Sequence, residues 1–173
     1  MNSTINDLMM RRSIRKYKPE CPSKELLDQI IAAGTCAPSG MNWQSAIIVC
    51  VTDKKEIEYL SKLNAHVRGA DGTDPYYDAP AALLVLAKKS SPYALQDGSL
   101  VMGNMMNAAY ALGLGSCWIN KLMEVMETED GKALLKKWGI EGEYMGIGSC
   151  IVGYPDEERQ MKPRKENYVY YVG

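Results

Sequence analysis

Three short apolar runs set the terms for any fold of this chain: AIIVCVT at 46–52, AALLVLA at 81–87 and YMGIGSCIVGYP at 144–155. Each has strand length and little alternation of polarity, the pattern of a buried strand. The segments between them read as helices. Residues 3–10 form a short one that ends on Leu8, Met9 and Met10. In PSKELLDQIIAAG, Pro22 and Ser23 stand at a helix start, Leu26, Leu27, Ile30 and Ile31 share a face, and Gly34 suits the stop. Residues 54–64 are a third helix. The long helix at 93–112 carries Leu100, Val101, Met102, Met105, Met106, Ala108, Ala109 and Leu112, more than one narrow stripe, so it should be buried on more than one side. GLGSCWI at 113–119 reads as a turn and a strand, TEDGKALLKKWG as a surface helix ending at Gly139, and the terminal YVYYV as a last strand. RGADGTDPYYD at 68–78 reads as a mobile surface loop. The expectation is a mixed α/β chain forming a single domain over 1–173, for which 46% hydrophobic residues supply a core.

Several function classes are excluded early. The longest apolar stretch, Ala79–Ala87, is far short of the ~18 residues of a membrane span. The first ten residues lack the apolar run of a secretory signal. Five cysteines, odd in number and scattered, argue against a disulfide framework and a structural zinc site, and point to thiols in a reducing cytoplasm. A single histidine, His66, weakens any mechanism built on a histidine base, and no metal site is expected. No glycine-rich phosphate loop follows a strand, so neither a dinucleotide fold nor a P-loop is supported.

Charge is the remaining signal. Lys+Arg number 20 against 21 Asp+Glu, so the chain is no general polyanion binder. Yet RRSIRKYK at 11–18 and RQMKPRK at 159–165 are strongly basic, at opposite ends of the sequence. If the ends meet, Arg11, Arg15, Lys162, Arg164 and the Ser13 hydroxyl make a pocket for a phosphate monoester, which arginine grips bidentately and lysine as a point charge. Taken alone, such runs are more often just solvated surface, or a basic arm touching nucleic acid, than a phosphate pocket.

Several motifs occur in a telling order: RRSIRKY, APSGMNWQ, YYDAPAALLV, AAYALGLGSCWI, GYP and KPRK. Together they resemble the FMN-dependent nitroreductase family from end to end. The resemblance implies an α+β fold, a nitroreductase-like mixed sheet flanked by helices, in an intertwined homodimer with FMN at the interface. It implies that Arg11, Ser13 and Arg15, with Arg12 beside them, hold the FMN phosphate and ribityl chain. Pro38, Ser39, Gly40, Asn42 and Gln44 match the loop that reaches the flavin from the partner subunit. Gly115, Ser116, Asn120 and Lys121 match the strand and turn under the ring, where backbone N–H groups meet flavin N5 and O4. Lys162 and Arg164 match a C-terminal phosphate clamp, and Asn64 a contact to the pyrimidine edge.

The activity so implied passes a hydride from NADH or NADPH through flavin to a small-molecule acceptor such as a nitroaromatic or quinone. No side chain acts as acid or base, and neither nucleic acid nor membrane is a partner. The alternatives are a relative using the same FMN site for dehalogenation, flavin cleavage or an oxidase step, and a non-catalytic flavin-binding module. The chain departs from the family in its NWQSA loop, which lacks the usual proline and puts Trp43 before the glutamine. It also lacks the long insertion that covers the flavin, leaving 68–78 or 121–131 for that task.

Overall fold

A computed structural model describes residues 2–173. In chain order it contains α1 (Ser3–Met10), α2 (Lys24–Thr35), β1 (Ala46–Val51), α3 (Lys54–Val67), β2 (Ala81–Lys88), α4 (Ala94–Ala111), β3 (Gly115–Ile119), α5 (Leu122–Glu127), α6 (Glu129–Lys137) and β4 (Tyr144–Gly153). Four helices begin where a side-chain oxygen accepts from the first-turn amides: Asn2, Ser23, Asp53 and Thr128.

The strands form one sheet in the order β1-β2-β4-β3, every pair antiparallel. Val51 pairs with Ala82, so α3 and the loop after it leave and return at the same end of the sheet. β2 lies centrally and is buried over Ala81–Ala87. Its alternate residues serve two cores. Ala82, Leu84 and Leu86 pack with Ile57 and Leu60 of α3, Leu122 and Val125 of α5, and Leu134 of α6. Ala81, Leu83, Val85 and Ala87 pack with Leu27 and Ile30 of α2 and with Met102 and Met105 of α4. A central strand covered on both faces has no polar side to show, which is why its sequence is continuously apolar.

Several expectations are corrected. The sheet is not mixed among its named strands; the parallel element is a single bridge, Ser13 to Ser116. β1 is a half-exposed edge strand rather than a buried one, and its Cys50 is exposed. Gly34 does not stop α2. It lies inside the helix, where an added Cβ would come within 2.7 Å of Met105 Cγ, so its smallness lets α4 approach. The helix α5 was not anticipated. The 68–78 loop is pinned by Tyr76, which is 1% exposed and hydrogen-bonded to Ser149 Oγ at 2.7 Å. Burial pushes the Tyr76 hydroxyl up to about 12, against the pull of Ser149, so it stays protonated. Finally, YVYYV forms no strand: Tyr168–Val172 are exposed and have no ladder partner among the described residues. A strand requires a neighbouring edge, and nothing in one chain supplies one there.

Candidate functional site

The N-terminal basic segment lies along the outer edge of β3. The Ile14 amide donates to Ser116 O at 3.0 Å, Ser13 bridges Ser116, and the Lys18 amide reaches Tyr154 O at 2.9 Å. Gly115 permits this docking, since a Cβ there would come within 2.9 Å of Ile14. Gly115 and Ser116 are themselves buried, Ser116 Oγ donating to Met106 O at 3.5 Å. Ile14 anchors the segment in the interior while Arg11, Arg12 and Ser13 stay half-buried and Arg15 is exposed. Arg12 Nη1 donates to Met9 O at 2.8 Å and Arg11 O at 2.6 Å, capping the end of α1. By contrast, Arg11 Nη1 and Arg12 Nη2 are buried with no partner among the described residues. Unpaired buried cationic donors are costly, and two on neighbouring residues make a receptor for a multiply charged anion.

The chain's other end comes to the same edge. Tyr17 pairs with Pro155, Lys16 Nζ lies 2.8 Å from Asp156, and Glu157 accepts from the Arg15 amide at 2.6 Å. Arg159 closes on Glu157 at 2.9 Å. Bonding to Arg159 foremost, and then to the Arg15 amide, holds the Glu157 carboxyl below its ordinary value. The termini therefore meet, but through Asp156, Glu157 and Arg159. Lys162 and Arg164 lie in the exposed tail and make no ion pair among the described residues. Cys117 sits beneath this cluster. Burial pushes its thiol up, and Arg15, the Ser13 hydroxyl, Arg11 and Arg159 only partly offset this, so it is no poised nucleophile.

At the far end of β3 the chain turns into α5 through Asn120 and Lys121, both exposed. From Ser116 to Asn120 is ~13 Å at strand rise. Lys121 has φ 77°, in the left-handed region, and its carbonyl accepts from the Val125 amide at 3.0 Å. The Lys121 amide has no protein acceptor among the described residues. Asn64 of α3 is fully buried, and its Nδ2 donates to Asn120 O at 2.6 Å.

The loop 38–44 is built differently. Met41, Asn42 and Gln44 all take positive φ, 52°, 56° and 48°. The Ser39 hydroxyl accepts from the Gln44 amide at 3.1 Å, and Gln44 Nε2 donates to Asn42 Oδ1 at 3.0 Å. Gly40 lies against the Tyr93 ring, where a Cβ would come within 2.3 Å of Cδ2, and its amide donates to Asp97 Oδ1 at 2.9 Å. Pro38, Asn42, Trp43 and Gln44 are exposed, and Ser39 and Gly40 half-buried. Asp97 and Met106 are nine residues apart on α4, ~13 Å along the axis. Within one chain, then, the residues fall into two groups. Arg11, Arg12, Ser13, Arg15, Gly115, Ser116, Asn120, Lys121 and Asn64 share the β3 edge and its turn. Pro38–Gln44 sit by the start of α4.

Sequence reasoning missed Asp97, which is 4% exposed with Oδ2 unpartnered, and Glu157. A lone carboxylate in an apolar helix was the available signal for the first. The second lies just before the basic run that drew attention. His66 is on the surface, 3.2 Å from Asp71. No cluster of metal ligands occurs among the described residues, nor any helix long and apolar enough to cross a membrane.

Comparison with known proteins identifies the family and the fold. The sequence model of the nitroreductase family matches residues 8–70 and 67–154. An FMN reductase [NAD(P)H] of Bacillus subtilis is 28% identical over 187 residues, covering 95% of this chain and 70% of that protein. An iodotyrosine deiodinase of Thermotoga neapolitana is 28% identical over 180 residues, covering 93% of both. The crystal structure of a nitroreductase with bound FMN from Bacteroides fragilis superposes with a TM-score of 0.92 at 26% identity, over 100% of both chains.

Proposed function

Because the chain belongs to the nitroreductase family, we propose that it is an FMN-dependent oxidoreductase drawing reducing equivalents from NADH or NADPH and delivering them to a small oxidised acceptor. The observation that carries this reading is the pair of buried, unpartnered guanidinium nitrogens of Arg11 and Arg12 beside Ser13, ~13 Å of strand away from a turn with a free backbone amide. That donor set fits a ligand with a dianionic tail and a ring bearing acceptor atoms, as FMN is. When bound, FMN supplies the electron-transfer chemistry.

The protein's part is holding and access. Arg11, Arg12, Ser13 and Arg15 would grip the phosphate, with Glu157 fixing the Arg15 backbone and Arg159. Lys162 and Arg164 lie on a free tail and would join only if it folded over the site. The amides of Asn120 and Lys121 would meet the ring edge. Lys121 Nζ is paired with Glu124 at 2.5 Å, so this position is read here through its backbone.

Completion of the site calls for a second copy of the chain. The 38–44 loop sits by the start of α4, apart from its own basic segment on the β3 edge, and Tyr168–Val172 are an exposed apolar tail with no ladder partner among the described residues. A homodimer, with Pro38–Gln44 of one subunit facing the flavin of the other, accounts for both. The near full-length match to an iodotyrosine deiodinase keeps reductive dehalogenation as the second reading.

Anaerobic titration of the yellow protein with NADH and NADPH, followed by a panel of nitroaromatic, quinone and iodotyrosine acceptors, tests these readings. Bleaching by a nicotinamide and reoxidation by a nitroaromatic or quinone is expected. Reoxidation by iodotyrosine alone favours the second reading, and a protein that nicotinamides never bleach contradicts the first.

A further inference from the structure

We infer that Asn64 is a positioning residue for the flavin reading above: by holding the Asn120 carbonyl inward, it sets the β3–α5 turn so that the neighbouring amides face out. A direct contact between Asn64 and the pyrimidine edge was the sequence expectation, yet its side chain is 0% exposed. The Nδ2 to Asn120 O distance of 2.6 Å fixes the orientation of the amide, since a flipped side chain would set two acceptors against each other. Its Oδ1 is buried with no partner, so an apolar side chain of like size would fill the place at lower desolvation cost. The carbonyl of Asn120 is what the asparagine gains.

The turn is gripped from the opposite side as well. Gly146 of β4 lies so close to Leu122 that an added Cβ would come within 2.3 Å of the Leu122 carbonyl oxygen. Between these grips Lys121 holds φ 77° without being glycine, a conformation that persists only where its surroundings impose it. The Asn120 and Lys121 carbonyls are both used internally, by Asn64 and by the Val125 amide, while the Lys121 amide is left without a protein acceptor. Carbonyls tied in and an amide left out is the arrangement of a preorganised donor.

The proposal is tested with Asn64→Leu, which fills the space without donating, and Asn64→Asp, which keeps the shape and donates only when protonated. Amide hydrogen exchange across 119–123 in FMN-free protein reads the turn itself. The visible spectrum and two-electron midpoint potential of the FMN-loaded protein read its effect on the ring. In Asn64→Leu, exchange at the turn should rise about three- to tenfold, the worth of one hydrogen bond, with the rest of α3 unchanged. The flavin bands should move, and the potential should shift by up to about 30 mV, a tenfold change in relative affinity for the two oxidation states. Asn64→Asp should approach wild type as the pH falls. Unchanged exchange at the turn overturns the proposal, as do a wild-type spectrum and potential in both variants, or failure of both to fold. Wild-type protein that takes up no FMN overturns the flavin reading together with it, whereas uptake by wild type with no effect in the variants sinks the positioning role alone.

Discussion

Arg11 and Arg12 each carry a buried unpartnered nitrogen, but only Arg12 also bonds the chain, and substituting each by methionine separates cofactor binding from stability. Methionine keeps much of the aliphatic stem and removes the charge. Arg11 Nη1 and Arg12 Nη2 are both buried without a partner, but Arg12 Nη1 bonds Met9 O and Arg11 O, for which Arg11 has no counterpart among the described residues. Removing Arg11 therefore relieves a desolvated donor in the FMN-free protein. Its unfolding midpoint should hold or rise, by about 2–4 °C for each kcal/mol relieved. The same change removes a charge-assisted bond to the phosphate, worth about 1.5–3 kcal/mol, so the FMN dissociation constant should rise about ten- to a hundredfold. Arg12→Met instead breaks two bonds to carbonyls at the end of α1, at a cost of about 0.5–1.5 kcal/mol each, and should lower the midpoint. Thermal unfolding of FMN-free protein and quenching of flavin fluorescence, at one fixed ionic strength, measure both quantities. If Arg11→Met destabilises the FMN-free protein as much as Arg12→Met, and leaves FMN affinity within about twofold of wild type, the assignment of Arg11 to the phosphate is wrong.

Two further outcomes follow from the geometry. Asp97→Ala frees the Gly40 amide; protease cleavage within 38–44 should increase and FMN affinity fall by about tenfold, the worth of one bond to a carboxylate, while the fold persists by circular dichroism. Glu157 has a depressed pKa because Arg159 and then the Arg15 amide stabilise its charged form. Its contribution is therefore complete above the ordinary 4.5 and lost as pH falls through the lower folded value. The difference in unfolding midpoint between wild type and Glu157→Gln should be constant near neutrality and shrink below pH 4.5; a difference that grows on acidification would contradict the pairing.

The sequence made the central strand easy to see, because a strand buried on both faces must be apolar throughout, as Ala81–Ala87 is. Long α4 was legible for the same reason, its apolar surface being wide and buried, whereas the N-terminal helix was legible from its apolar end although none of its described residues is buried. What the sequence hid depended on partners distant in the chain. Gly34 reads as a terminator until Met105 is seen against it. Tyr76 reads as loop surface until Ser149 accepts it into the interior. The YVYYV tail has strand composition, but pairing is a property of two edges and one chain offers the tail none. At the site, the cations were visible as a charge run. The groups that orient the backbone, Asn64, Asp97 and Glu157, were not legible in those roles, because a single buried polar residue leaves no pattern.

The central claim is that this chain binds one FMN through its basic N-terminal segment, and fluorescence titration of flavin-free protein with FMN and with riboflavin tests it most directly. Quenching that breaks at one FMN per chain, with riboflavin bound far more weakly for want of the phosphate, is the expected result. Equal binding of the two, or no quenching by FMN at all, would contradict the account.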